Sequence, residues 1–160
     1  MSDAQRIPVI VIVDDEEMVL TSLRSFLSLE TDYEVLTFNA PEAALGKLKD
    51  HPVDLVISDY LMPGMNGIAF LLELKKIHPF ATRVLLTGYA DKENAIKAIN
   101  EVGLYQYIEK PWRNEDLKLI IQNGLERRFL MEQLEQKIQE VQSVQRSLQD
   151  IQAQIIKAFM

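Results

Sequence analysis

The chain of 160 residues contains no cysteine. That excludes disulfides, thiolate metal sites and a cysteine nucleophile, and it suits a reducing compartment. Long apolar runs are missing as well. The most extended, Ile7 to Val13, is far too short to span a bilayer. No pattern of basic start, apolar stretch and small-residue cleavage site precedes it, so a cytoplasmic protein is expected. Histidine is scarce. Both copies, His51 and His78, stand directly before proline, in steps that close helices rather than on a helix that could present a phosphodonor. No G-x-x-x-x-G-K-S/T or G-x-G-x-x-G occurs, which argues against nucleotide binding. Positive charge is in deficit, with a net charge of −7. From Glu126 onward five basic residues (Arg127, Arg128, Lys137, Arg146, Lys157) face five acidic ones (Glu126, Glu132, Glu135, Glu140, Asp150). The excess acid therefore lies in residues 1–125, which speaks against a nucleic-acid surface there and suits a divalent cation.

The remaining composition is that of a globular chain, 48% hydrophobic and 26% charged. Up to about residue 110, β-rich apolar runs alternate with helical patterns. The runs are Ile7–Val13, Tyr33–Phe38, Val53–Ser58, Arg83–Leu86 and Leu104–Ile108. The first and third are almost continuously apolar, as strands covered on both faces must be. Between them, spacings such as Leu20, Leu23, Leu27 and Phe70, Leu71, Leu74 predict helices. Pro41 suits a first helical turn, Asp91 and Asn114 suit N-caps, and Gly103 suits a helix stop. His51-Pro52 and His78-Pro79 are each expected to close a helix. Five βα repeats predict a doubly wound α/β domain. With only five strands, the flavodoxin-like order 2-1-3-4-5 is preferred over a Rossmann order that needs a sixth.

After Trp112 the pattern changes. Leu134, Val141, Leu148 and Ile155 recur every seven residues, with Leu130, Val144, Ile151 and Ala158 on companion positions. That is a coiled-coil seam, narrower than the face of a helix folded back on a core. Lys137 interrupts the companion row and Ile138 shifts the stripe. An α/β domain over 1–125 followed by a self-associating helix over 126–160, giving a homodimer, is the expectation.

The chemistry is expected at the carboxyl ends of the strands, where a parallel sheet with this order opens a crevice between strands 1 and 3. Strand 1 ends in Asp14-Asp15-Glu16 and strand 3 in Asp59. Carboxylates that close repel unless a cation sits among them. An all-oxygen set with few ligands suits magnesium, which keeps waters and takes phosphate oxygens. Strand 4 ends in Thr87-Gly88 and strand 5 in Glu109-Lys110-Pro111, adding a hydroxyl and an ammonium at the same mouth. Carboxylates, a hard cation, a hydroxyl and a lysine make a site for a phosphoryl group, and a carboxylate can itself be the nucleophile.

Four segments together resemble the receiver domain of bacterial two-component response regulators, a CheY-like superfamily. They are Val11-Ile12-Val13-Asp14-Asp15-Glu16, the ten residues from Ser58 to Gly67, Leu85-Leu86-Thr87-Gly88-Tyr89 and Tyr107-Ile108-Glu109-Lys110-Pro111. The resemblance covers residues 7 to about 125. It implies that Asp59 accepts a phosphoryl group from a sensor histidine kinase, with magnesium held by Asp14, Asp15, Asp59 and the backbone carbonyl of Leu61. It implies further that Lys110 bonds the phosphoryl oxygens, and that Thr87 and Tyr107 are switch residues altering the face of helix 4, strand 5 and helix 5. No enzymatic activity is implied beyond the domain's own phosphotransfer and its loss. Asn66 stands where many receivers have aspartate, and Leu61 and Tyr89 flank the acceptor with apolar or bulky groups expected to restrict water. Trp112 after Lys110-Pro111 resembles receivers that feed signalling enzymes.

Two other readings compete with this one. A magnesium phosphohydrolase resembling the haloacid dehalogenases needs Asp-x-Asp, whereas the run here is Asp14-Asp15-Glu16 with no cap domain. A non-phosphorylated adaptor acting through its coiled coil is the alternative within the same fold. As for output, fewer than fifty residues follow the receiver-like part, and a seam continuing to Met160 favours the front part of a longer regulator over a stand-alone dimer. The effector or partner stays open.

Overall fold

The computed structural model describes residues 6–159, with the side chain of Tyr89 outside that description. The five β-rich runs form β1 (Val9–Val13), β2 (Glu34–Phe38), β3 (Leu55–Asp59), β4 (Thr82–Thr87) and β5 (Gln106–Glu109). Every adjacent pair is parallel, in the order β2-β1-β3-β4-β5. This is the flavodoxin-like order expected. The strand β3 reaches one residue further than the apolar pattern indicated and takes in Asp59. Five helices intervene or follow: α1 (Glu17–Glu30), α2 (Pro41–Leu48), α3 (Gly67–Ile77), α4 (Lys92–Val102) and α5 (Asn114–Ala158).

Both faces of the sheet are covered. Val9, Val11 and Val13 share a core cluster with Ala44 and Leu48 of α2, Phe70, Leu71 and Leu74 of α3, and Ala95, Ala98 and Val102 of α4. Ile10 and Ile12, whose side chains alternate to the other face, are equally buried. There α5 presses against the sheet at Gly124, where Thr82 Oγ1 donates to the Gly124 carbonyl at 2.7 Å. Pro41 does open α2, and Gly103 ends α4 in the left-handed conformation at φ 68°.

Two caps differ from expectation. Asp91 holds the N-cap position of α4 but makes no side-chain cap hydrogen bond, because its backbone sits at φ −102°, ψ 0° rather than extended. Asn114 is already the first helical residue of α5, and the bond from Leu117 N to the Arg113 carbonyl puts the cap one residue earlier. Its amide oxygen accepts instead from Trp112 Nε1 at 3.2 Å. Of the His-Pro steps, His78 is the C-cap of α3, whereas α2 ends at Leu48, ahead of His51-Pro52.

A residue to which the sequence reading gave no role ties the amino ends of the strands together. Asp54 is fully buried and accepts from Arg6 Nη1 at 2.9 Å, Arg6 Nη2 at 2.5 Å and the Val9 amide at 2.8 Å. Arg128 Nε approaches it at 3.8 Å. Its own backbone joins Val9 and Thr82, so one paired carboxylate fastens β1, β3, β4 and α5. A buried charge left unpaired would be strongly destabilising.

The chain divides into two units between Arg128 and Phe129. Beyond that point α5 exposes a row of large apolar side chains that includes Leu134, Val141, Leu148 and Ile155. Among the described residues no helix is long and apolar enough to cross a membrane.

The close approach at Gly124 leaves no room for a side chain, since an added Cβ would lie 2.8 Å from Leu55 Cδ1 and 3.1 Å from Thr82 Cγ2. Gly124→Leu is expected to lower the unfolding free energy by about 2–3 kcal/mol through overpacking. In contrast, Gly46 in α2 has nothing within 4 Å of an added Cβ, and Gly46→Ala should raise stability by about 0.5–1 kcal/mol. Urea unfolding of both variants checks the pair.

Candidate functional site

The carboxyl ends of β1, β3, β4 and β5 deliver the expected residues to one mouth. Buried Asp14 follows the last residue of β1 and buried Asp59 ends β3, because both strands run through the core and stop level with each other. Oxygen atoms of Asp14, Asp15 and Asp59 lie within 4.8 Å of one another. Lys110, just past β5, places Nζ 3.2 Å from Asp14 Oδ2 and 3.1 Å from Asp59 Oδ1. Glu16 Oε1 is 4.0 Å from the same ammonium. The peptide bond between Lys110 and Pro111 is cis.

Each acid is also oriented by the backbone. Asp14 Oδ1 accepts from the Glu16 amide at 2.9 Å, and Asp59 Oδ1 from the Tyr60 amide at 2.9 Å. The loop after Asp59 returns tightly, with the Gly67 amide donating to the Tyr60 carbonyl at 2.8 Å. A Cβ on Gly67 would fall 2.1 Å from the Asp59 carbonyl oxygen. Only glycine permits that approach, a requirement the sequence shows as one letter of the Ser58–Gly67 segment without saying why. Asn66 is explained in the same loop: its side chain accepts from the Ala69 amide at 2.8 Å and caps α3, a task asparagine performs as well as aspartate.

Electrostatics set the character of the site. Burial and the nearby charge of Asp14 push Asp59 up from 3.8 to about 6, against the opposing pull of Lys110 and the Tyr60 amide. Burial likewise raises Asp14. Burial would lower Lys110, but the charges of Asp14 and Asp59 outweigh it and its pKa rises. Three carboxylates against one ammonium leave two negative charges uncompensated. The all-oxygen donor set and that surplus fit one hard divalent cation.

The fourth strand contributes an unmatched group. Thr87 is fully buried and its Oγ1 has no hydrogen-bond partner among the described residues, while its carbonyl accepts from the Lys110 amide at 2.8 Å. A buried hydroxyl without a partner is uncommon, and here it stands on the strand beside Asp59, which pairs with Leu86. Tyr107 is half-buried and packs against the core cluster that includes α4. The Leu61 side chain, two residues after Asp59, is exposed. The side chain of Tyr89, expected on the other flank, lies outside the described residues.

Comparison with known proteins agrees with this geometry. A model of the response regulator receiver domain matches residues 10–122. The hydrogenase transcriptional regulatory protein HoxA of Cupriavidus necator is 36% identical over 126 residues, which is 79% of this chain and 25% of that protein. A response regulator receiver domain protein from Clostridium thermocellum superposes with a TM-score of 0.73, at 34% identity over 78% of this chain and 99% of that one. The signal receiver domain of an HD domain-containing protein from Pseudomonas fluorescens is 37% identical with a TM-score of 0.72, covering 77% and 98%. The chain spans about a quarter of the length of the curated relatives it matches.

The raised pKa of Asp59 has a consequence for stability. The unfolded side chain loses its proton near 3.8, the folded one near 6, so the wild type loses stability as pH rises through that window. Without divalent cation, Asp59→Asn is expected to be more stable than wild type by roughly 1–3 kcal/mol near neutral pH. The advantage should shrink toward zero as pH falls to about 4 and should be offset by millimolar magnesium. Chemical denaturation across pH, with and without the ion, measures it.

Proposed function

The chain belongs to the response regulator receiver domain family, and from that premise we propose that Asp59 accepts a phosphoryl group from a sensor histidine kinase. What carries the reading is the juxtaposition of a buried carboxylate, a lysine 3.1 Å from it and an unpartnered threonine hydroxyl on the adjacent strand. In the transfer, phosphorus leaves the donor imidazole nitrogen and bonds an Asp59 oxygen. Asp14, Asp15, Asp59 and the Leu61 carbonyl would hold magnesium, which when bound neutralises charge on the phosphoryl oxygens. Lys110 turns from the two carboxylates to a phosphoryl oxygen. Thr87 Oγ1 donates to another, and Tyr107 follows it inward, which alters the face of α4, β5 and α5. Leu61, exposed two residues after Asp59, restricts attacking water and lengthens the phosphorylated lifetime. The domain acts on no separate substrate, so it is read as a regulator and not as an enzyme, working in the cytoplasm beside its kinase.

Residues 1–125 serve as the receiver, and 126–160 as a helical extension that joins two copies and leads to an effector domain or partner. Leu130, Leu134, Ile138, Val141, Val144, Leu148, Ile151 and Ile155 are all exposed. Full burial of such a side chain is worth about 1.5–3 kcal/mol, and these are already about half covered by their own helix. Two copies would gain on the order of 10–20 kcal/mol, against association costs of about 4–15 kcal/mol. Pairing near that balance is open to bias by a charge event at Asp59.

The test is acetyl phosphate with magnesium on wild type and Asp59→Ala, read by intact mass and by light scattering after size exclusion. One phosphoryl adduct on wild type alone, with a dimer present or strengthened, is the expected outcome. Absence of an adduct on either protein would leave the adaptor reading, in which the paired helices act without phosphorylation.

A further inference from the structure

The seam on α5 is not one regular heptad pattern. Leu134, Val141, Leu148 and Ile155 form a row that any pairing must use. Before Val141, the apolar companions Met131 and Ile138 stand three residues ahead of that row. After Val141, the companions Val144, Ile151 and Ala158 stand three residues behind it. Read in order from Met131 to Ala158, the steps are 3, 4, 3, 3, 4, 3, 4, 3. Two consecutive threes meet at Val141, one residue short of a regular repeat.

Either regular alternative buries polar groups. A continuous seam through Leu130 and Val144 draws Lys137 into the interface. In a symmetric parallel pair its ammonium would meet its own copy at the same level. A continuous seam through Ile138 draws in Gln145 and Gln152. With the break, every seam position is apolar. Lys137 is left beside the seam, where its Nζ lies 3.3 Å from Glu140 of its own helix. At about 100° per residue, exchanging companions moves the centre of the seam around the helix by about 50°.

We propose that two copies of this chain pair in parallel through α5, and that the seam changes sides at Val141, overwinding the pair between Ile138 and Val144. This rests on the dimer reading above and specifies its geometry. The second copy is the occupant for three reasons. The row repeats at the interval that only another helix with the same repeat can follow over several turns. The stretch from Glu126 carries five charges of each sign, so like copies do not repel. The break also aligns only in parallel: Val141 lies off-centre between Met131 and Ala158, and an antiparallel partner at full overlap would set the regular stretch at Leu148 against it. A step shortened to three residues overwinds a coiled coil locally.

The absence of cysteine makes the test clean, because each variant then carries a single thiol. Lys137→Cys, Ile138→Cys, Val144→Cys and Gln145→Cys in the full chain are oxidised with diamide, and covalent dimer is followed over time. Ile138→Cys and Val144→Cys are expected to cross-link at least about tenfold faster than Lys137→Cys and Gln145→Cys, since only seam positions face their own copy. Fast Lys137→Cys with slow Ile138→Cys would overturn the break and leave a regular dimer. Fast Ile138→Cys with Gln145→Cys outpacing Val144→Cys would overturn it in the other direction. A light-scattering dimer that cross-links at none of the four overturns the parallel arrangement. A monomer by light scattering removes the dimer reading itself. Ile138→Gln should weaken the dimer about tenfold or more while Lys137→Gln leaves it intact, and the reverse would also refute the break.

Discussion

The site is governed by one ammonium held between two buried carboxylates. Lys110 reaches Asp14 and Asp59 at 3.2 and 3.1 Å, and without it two buried like charges would face each other unscreened by a cation. That contact joins the ends of β1, β3 and β5, which are not all neighbours in the sheet. It does not balance the site, because Asp15 and one further charge are left over. The surplus negative charge, which adds to burial in raising Asp59, makes the mouth receptive to a cation and, with the cation, to an anion.

A second paired carboxylate works at the opposite end. Asp54 gathers Arg6, the Val9 amide and the approach of Arg128, whereas Asp14 and Asp59 gather Lys110. The first is saturated by two guanidinium groups and an amide. The second is undersupplied. Asp54 and Asp59, at opposite ends of β3, thus differ in how fully their charge is met, and the count of cationic partners separates them.

Strand order and the convergence of Asp14, Asp59, Thr87 and Lys110 were legible because they follow from periodicity and from where strands end. A parallel strand covered on both faces has to be apolar, and the first polar residue after it has to emerge at the rim. The caps were less legible. Asp91 and Asn114 have the right chemistry for the role, but capping depends on backbone angles that the letter does not specify. Asp54 was not legible at all, since its partners lie 45 and more residues away. The tightness at Gly67 and Gly124 belongs to the same class: both glycines are visible, but what approaches them is fixed by tertiary packing.

The solitary hydroxyl of Thr87 gives the resting domain an energetic asymmetry. A buried donor without an acceptor costs about 1–3 kcal/mol, and that cost is present only while the mouth lacks a group able to accept from it. An arrangement in which Thr87 finds an acceptor is favoured by the same amount, a factor of roughly 5 to 150 in relative population. The well of the conformation seen here is thereby made shallower. A sequence that satisfied every buried polar atom here would deepen that well and make a more stable protein.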